Sequence, residues 1–485
     1  MHLYFNQWKF KHPQPEDLRS LFEKETGKDL SWFFDDLIQT TNHVDYKISS
    51  VKIRLKTGSL VKVKNKGQVD GPIEVNAFNN NELVESLWLE PGENEGLLKS
   101  NITDFNRVVI DADGKIPELS RHNNTWHKKA LFKKIEPLKF EFLSGDHEVD
   151  RTNIFWTPSI AGNAYDKLML GLAFHNIGVP PSQFQYLIAP HYSFGGNRIS
   201  GISEFSYSIL PKTKGKMIKI GASVKSFANS TYKNSYYIGI SPYMRWHIGS
   251  RNVASKVNQI LTLKGIWRND VYASGDDDWS SGVKTSYVIR GGKSVFKWSF
   301  EGLLTYYQNT DANERIFRGE VIGDFSVKYL REKDKLIQLR LYFGQNFIFE
   351  SPYFFNDHMQ LAMSGARGYQ DLFLEEYNFE RNASGGAFWA QQRNDNHGGF
   401  YSTSDFGTTR YWLSSCNIQA HIPLVPNMFQ VFSNHGVFYN GNNIDFIYNS
   451  GLSINIANVI GIYFPLLRSK SMGDLFDDYG RAIRF

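Results

Sequence analysis

A single cysteine, Cys416, stands among 485 residues. That excludes an internal disulfide and any zinc site built on several cysteines, while leaving the compartment open. Long hydrophobic runs are missing too. No stretch of about 18 apolar residues occurs anywhere, which excludes a transmembrane helix. The mean hydropathy of −0.39 agrees. A β-barrel passes this test, because only every second residue of a strand faces lipid. Charge is also scarce: 21% of residues are charged and the net charge is +5, with a pI near 8.8. Lys and Arg read as spread along the chain, so no nucleic-acid partner is expected. No signal peptide opens the chain, since Met1-His2-Leu3-Tyr4 lacks a basic region followed by an apolar one. A barrel needs export, so the expectation is a shortened chain with Met1 internal to a longer gene product.

Aromatic residues, by contrast, are abundant: 15% of the chain, with 37 Phe and 25 Tyr. Girdles of Tyr, Trp and Phe at the two faces of a membrane would account for them. Trp246, Trp279, Trp298 and Trp412 fit such positions, and core packing is an equal alternative.

Three regions follow one another. Residues 1–41 read as helical: His12-Pro13-Gln14-Pro15-Glu16-Asp17 opens a helix, Gly27 ends it, and Asp29 starts a second one carrying Trp32, Phe33, Phe34, Leu37 and Ile38. These aromatics exceed what forty helical residues can bury, so a missing upstream partner is expected. Residues 42–115 alternate in short runs such as Val51–Leu55, Leu60–Val63 and Val108–Ile110. Turn signals at Asn65-Lys66-Gly67, Asp70-Gly71-Pro72 and Asp113-Gly114 separate them, the pattern of an immunoglobulin-like β-sandwich. Residues 116–150 are polar and read as a linker.

From 151 to 485 the alternation lengthens. In Ile316 to Tyr329, one parity carries Phe317, Val321, Phe325, Val327 and Tyr329, and the other Arg318, Glu320, Asp324, Ser326 and Lys328. Strands of about ten residues, apolar on one face and polar on the other, suit lipid outside and a wet lumen inside. A soluble β-protein would have shorter strands, about five or six residues on average. About sixteen strands are expected, the last near 480–485, with a long irregular stretch at 351–409. Short turns, as at Gly291-Gly292-Lys293 and Pro426-Asn427, alternate with longer loops. Short turns face the periplasm in such barrels, which places the N-terminal domains there and the whole chain in a bacterial outer membrane. The fold class is therefore mainly β: a transmembrane antiparallel barrel preceded by a sandwich and a short helical remnant. Asp276-Asp277-Asp278 reads as a solvated loop tip in preference to a calcium site.

Two resemblances add to this. Trp8-Lys9-Phe10-Lys11-His12-Pro13, Asp17-Leu18, Phe22, Gly27, Asp29-Leu30-Ser31-Trp32-Phe33-Phe34, Thr41-Asn42-His43 and Asp45-Tyr46 resemble the end of the catalytic region of gluzincin (aminopeptidase-N-like) metallopeptidases. The sandwich then looks like that family's third domain. The zinc motif His-Glu-x-x-His is absent here, so no catalytic or metal residue carries over. His12, His43, His122 and His127 read as capping, turn or solvated residues. No cofactor is expected in this chain; zinc and peptidase activity would belong to a longer form.

The barrel resembles the outer-membrane assembly and two-partner-secretion (surface antigen) superfamily. Arg367-Gly368-Tyr369 matches that superfamily's Arg-Gly-Phe/Tyr loop tip, which folds back into the lumen. Phe432-Ser433-Asn434-His435-Gly436 is similar to its Phe-x-Asp-x-Gly motif, with Asn434 where Asp is usual, and terminal Phe485 matches the insertion signal. The resemblance implies a lumen plugged by its loop. Arg367 would need an acceptor there: Asn434 offers a neutral carbonyl, and Asp324 or Glu320 a carboxylate. Expected partners are outer-membrane lipid, the barrel-assembly machinery during insertion, and other envelope proteins. Three functions are compatible: a membrane anchor for a metallopeptidase-like protein, a barrel for protein insertion or secretion, and a non-catalytic subunit of an envelope complex.

Overall fold

The structure is a computed structural model. It describes residues 2–484 except 55–57, 101–103, 119–120, 122, 129–137, 148–151, 164, 180, 212–215, 231, 233, 250–255, 352–358, 366–371, 374–390, 392–394, 403–405, 457–459 and 477–478. The chain divides into two compact units, one of residues 1–155 with 178–180, the other of 156–177 with 181–485.

The first unit opens with helices α1 (His2–Trp8) and α2 (Pro15–Thr26) and a π-helical turn, Trp32–Ile38. Pro15 fits the first turn of α2 because its missing N–H would be unpaired there anyway. Asp17 reaches back to accept the Gln14 N–H at 2.8 Å. Gly27, at φ 65°, closes the helix in the left-handed conformation that glycine tolerates best. Asp29 accepts the N–H of Ser31 at 2.9 Å. Trp32 and Leu37 pack against the sandwich core, so part of the aromatic helical surface finds its partner downstream and not upstream.

The sandwich has two sheets. One pairs β1 (Tyr46–Arg54), β2 (Gly58–Asn65) and β5 (Glu95–Leu98). The other pairs, in the order β4-β3-β6-β7, the strands β3 (Ile73–Asn79), β4 (Glu82–Leu89), β6 (Arg107–Ile110) and β7 (Thr125–His127). A three-on-four arrangement with this order is an immunoglobulin-like sandwich whose fourth strand lies in the second sheet. Alternate residues Val61, Val63, Val75 and Ala77 point into a dry core with Leu98, Phe105 and Trp126.

The second region is a sixteen-stranded sheet in which each strand pairs with its sequence neighbour. Its members are β8 (Leu138–Phe142), β9 (Thr152–Asn163), β10 (Lys167–His175), β11 (Phe184–Ser193), β12 (Arg198–Ile209), β13 (Met217–Ala228), β14 (Tyr236–Ile248), β15 (Asn258–Val271), β16 (Asp277–Gly292), β17 (Phe296–Asn309), β18 (Glu314–Leu330) and β19 (Lys335–Glu350). After the long loop, which carries the two-residue strands β20 (Leu361–Ala362) and β21 (Thr408–Thr409), come β22 (Trp412–His421), β23 (Phe429–Tyr439), β24 (Ile444–Ile456) and β25 (Ile460–Arg468). The recorded ladders are antiparallel. Among the described residues no ladder joins the edge strands β8 and β25. Among the described residues no helix is long and apolar enough to cross a membrane.

The alternation falls as expected and points the opposite way from the sandwich. Val321 and Val327 are exposed, while Arg318, on the other face of the same strand, is 2% exposed. Trp246, Trp298 and Trp412 share the register of the apolar face through their partners Ile218, Phe325 and Gln345.

Two expectations need correction. The stretch 116–150, read as a linker, carries β7 and the edge strand β8. Leu138, Phe140 and Phe142 are exposed on one face, and Lys139 pairs with Glu141 on the other at 2.8 Å. The described residues of 480–485 do not form a strand. Tyr479–Ala482 form the short helix α3, and only Arg484 makes a single bridge to Tyr463. The count of sixteen is right, but its last member lies at the start of the sheet.

Candidate functional site

The polar face of the sheet is occupied by the loop between β19 and β22. Its described parts are held by their own backbone bonds: Met363 N–H to the Gly407 carbonyl at 2.9 Å, Gly398 N–H to Ala362 at 3.1 Å, and Phe400 N–H to Met363 at 2.8 Å. From this base the loop reaches in several directions. Leu372 and Phe373 cluster with Ile266 of β15, Tyr307 of β17 and Ile316 of β18. Leu361, Met363 and Phe400 cluster with Tyr342, Leu413, Phe438 and Ile447. Tyr401 stacks on Tyr463 of β25, with ring centres 4.4 Å apart. One loop thus touches strands from β15 to β25 on a single face, so the polar face is concave and wraps around it.

A charged cluster anchors the loop. Arg318 Nε donates to Asn346 Oδ1 at 2.8 Å, Nη1 lies 3.1 Å from His397 Nε2, and Nη2 donates to the Met359 carbonyl. The Tyr342 hydroxyl donates to Glu320 Oε1 at 2.7 Å, and that oxygen lies 3.8 Å from His397 Nε2. Because a guanidinium only donates, Nε2 of His397 accepts, and the ring proton belongs on Nδ1. The Ala362 N–H, 3.4 Å from Nδ1, is then a contact and not a second bond. Arg318 and Glu320 are two positions apart on one strand, which is why both face the loop.

The segment 432–436 forms the opposite wall. Phe432, Asn434 and Gly436 share a parity and all face the loop. Phe432 meets Tyr401 edge-on at 4.9 Å. A Cβ on Gly436 would lie 2.5 Å from Met363 Sδ and 2.9 Å from Phe400, so any larger residue here makes the loop side chains shift. Asn434 Nδ2 donates to Asn449 Oδ1 at 2.6 Å. Its own Oδ1 is buried and accepts nothing from the described residues. Uncharged polar groups continue the wall: Asn417 and Ser415 both donate to the Gly398 carbonyl, and Gln419 donates to Gln430 and Ser453.

The sequence-level candidates are brought together only in part. Arg367, Gly368, Tyr369 and Phe485 lie outside the described residues. Glu320 bonds Tyr342, and Asn434 bonds Asn449. Asp324 lines a separate cavity together with Arg340. Sequence reasoning missed Arg318, Tyr342 and His397 as anchors. Arg318 and Tyr342 were legible as inward positions of long strands; His397, beside Gly398-Gly399 in an irregular stretch, carried no periodic signal. Asp276, Asp277 and Asp278 are taken up by Ser274, Trp279 and Tyr272 respectively. Among the described residues no group of three His, Cys, Asp or Glu side chains is placed to hold a metal.

No protein-family model matches the sequence, and no curated protein matches it. The peptidase resemblance of residues 1–46 therefore gains no support beyond its own residues. Among solved structures the chain is similar to BamA from Haemophilus ducreyi lacking POTRA domains 1-3, at 10% identity and a TM-score of 0.36, covering 67% of this chain and 70% of that one. It is also similar to CdiB from Acinetobacter baumannii, at 10% identity and a TM-score of 0.32, covering 67% of this chain and 60% of that one.

Proposed function

We propose that residues 138–468 close into a membrane-spanning β-barrel of the bacterial outer-membrane type, with its lumen filled by the 351–409 loop. One observation carries this reading: apolar side chains cover the convex face while the polar face encloses a packed loop. In water such a convex face would be a large exposed apolar surface, which soluble monomers avoid. In lipid it is the ordinary outer wall of a barrel. The short turns would face the periplasm, and the N-terminal unit with them. Arg367 would complete the loop's docking by donating to the open Oδ1 of Asn434.

Within this class we favour a barrel that inserts or secretes proteins over an anchor for a peptidase. The edge strands support that choice. β8 has five residues, against nine to seventeen for the others. The backbone edge of β25 is engaged at Tyr463 by Arg484, through bonds of 2.8 and 3.1 Å. A seam between these strands would be weak, and an exposed edge pairs readily with an extended chain.

Reconstitution into vesicles of bromine-labelled phospholipid tests the membrane reading; quenching of tryptophan fluorescence is expected. A chain that stays soluble and monomeric without detergent would refute it. Cysteines at Phe140 and at Ile462, Phe464 or Leu466 in turn, with Cys416→Ser, test the seam. Crosslinking that halts client insertion is the expected result, and undisturbed insertion with the seam locked would favour the anchor.

A further inference from the structure

The charge of this chain is mild in sum and lopsided in place. Between Glu204 and Asp270 no acid occurs, while that stretch holds eight lysines and three arginines. Residues 279–300 again contain no acid and four cations. In the structure the described residues of these stretches form part of β12, all of β13 and β14, most of β15 and β16, and the start of β17, which are consecutive strands of the sheet. Described lysines and arginines that read as scattered along the chain therefore lie on neighbouring strands.

Four of them line a cavity. Below the docked loop lies a chamber of about 880 Å³. Asp395 and Tyr401 of the loop contribute to its lining, and the turn Gly291-Gly292-Lys293 lies at its rim. Its cations are Lys256, Arg290, Lys293, Lys297 and Arg340; its acids are Glu301, Asp324 and Asp395. Ion pairs of the sheet such as Arg268 with Asp270, Arg315 with Glu350, and Lys328 with Asp334 involve none of these cations. Lys256, Arg290, Lys293 and Lys297 form no ion pair among the described residues. Crowded cations repel one another, and an anion between them removes that cost. The volume suits a small molecule, within the roughly 300–1,000 Å³ of ligand sites. Amide groups of Asn258 and Gln338 add neutral hydrogen-bonding partners.

We propose that this chamber binds a small multivalent anion carrying phosphate or carboxylate groups, entering from the short-turn end and stopped by the loop. Arg290 and Lys297 supply the main contacts, and Asp324 weakens the site by offering Arg340 a competing partner. Lipid outside the sheet plays no part, so a failure here leaves the membrane reading standing, and the reverse.

Titration calorimetry on the full chain in a neutral detergent tests it, with pyrophosphate and with citrate as probes at low salt. Binding is expected, and it should weaken about tenfold when salt rises from about 50 to 200 mM, as contacts between solvated charges are screened. The double variant R290Q/K297Q should weaken it by tenfold or more. D324N should tighten it, an outcome that misfolding does not produce. Arg315→Gln, at the opposite end of β18, should change nothing. Binding of both probes assigns a general polyanion site, and binding of pyrophosphate alone assigns a phosphate site. Neither anion binding at low salt, or R290Q/K297Q binding as well as the parent, would overturn the proposal.

Discussion

The sandwich and the sixteen-stranded sheet use one rule, side chains alternating across a strand, and bury opposite faces. Val75 of the sandwich is 0% exposed and sits among apolar neighbours, whereas Val321 of the sheet is 55% exposed and its polar neighbours point inward. The period is two in both, so period alone does not tell which face is inside. Strand length and the chemistry of the enclosed face do. β3 spans seven residues and closes on Val, Ile, Leu and Trp; β18 spans seventeen and encloses Arg318 and Glu320. A charged inner face needs either water or a partner loop, and this sheet has the loop.

The sharpest way to break the comparison is to put charge on each apolar face. Val75→Asp buries an unpaired carboxylate in the sandwich and should cost about 3–5 kcal/mol. Limited proteolysis of the full chain should show residues 42–127 cut while the sheet stays protected. Loss of both together would mean that the two units do not fold separately.

Val321→Arg is the matching change in the sheet. In water a half-exposed position tolerates it within about 0.5 kcal/mol. In a bilayer it should cost about 2–4 kcal/mol. Urea unfolding in vesicles measures the difference, with Val84→Arg, an exposed position of β4, as the control that should stay near zero. Equal small effects at both sites would remove lipid from the outer face.

These pairs also explain what the sequence made legible. Long strands such as β18 and β19 announced themselves because fourteen or more alternating residues leave little ambiguity. Leu138-Lys139-Phe140-Glu141-Phe142 alternates just as cleanly, but five residues among lysines and histidines read as linker. Residues 480–485 read as a last strand, but among the described ones the pairing there is one bridge, from Arg484 to Tyr463. The site was half legible. Inward positions such as Glu320 and Asn434 followed from parity. Their partners did not, because Met363, His397 and Tyr401 lie on an irregular loop whose contacts depend on how it folds back.

A third contrast is in pH response, and it belongs to the sandwich. Burial pushes the Glu118 carboxyl up to about 7, against hydrogen bonds from the Tyr46 N–H at 2.8 Å and from Asn124, and against Arg121 at 3.8 Å. A raised acid favours its neutral form in the folded state. Its contribution is therefore full below the unfolded value near 4.5 and is lost as pH rises toward 7. The sandwich should lose on the order of 2 kcal/mol over that window. Glu118→Gln should flatten the profile; an unchanged slope in denaturant titrations would assign the dependence to another group.

The smallest expected effect probes the fit between loop and wall. Gly436 faces Met363 Sδ, and an added Cβ would come within 2.5 Å of it. Met363 has a flexible side chain, so Gly436→Ala should be absorbed at about 1 kcal/mol, near the low end for overpacking. Gly436→Val adds branches that also strike Phe400 and should cost about 2–3 kcal/mol. The cost belongs to the loop and not to the ladder, because β23 keeps its backbone bonds to β22 and β24. Protease cleavage within 351–409 should therefore rise in Gly436→Val while the strands remain resistant. Met363→Ala should restore most of the protection by vacating the space. If the double variant is cut as fast as Gly436→Val, the glycine serves the strand itself, and the loop does not rest on this wall.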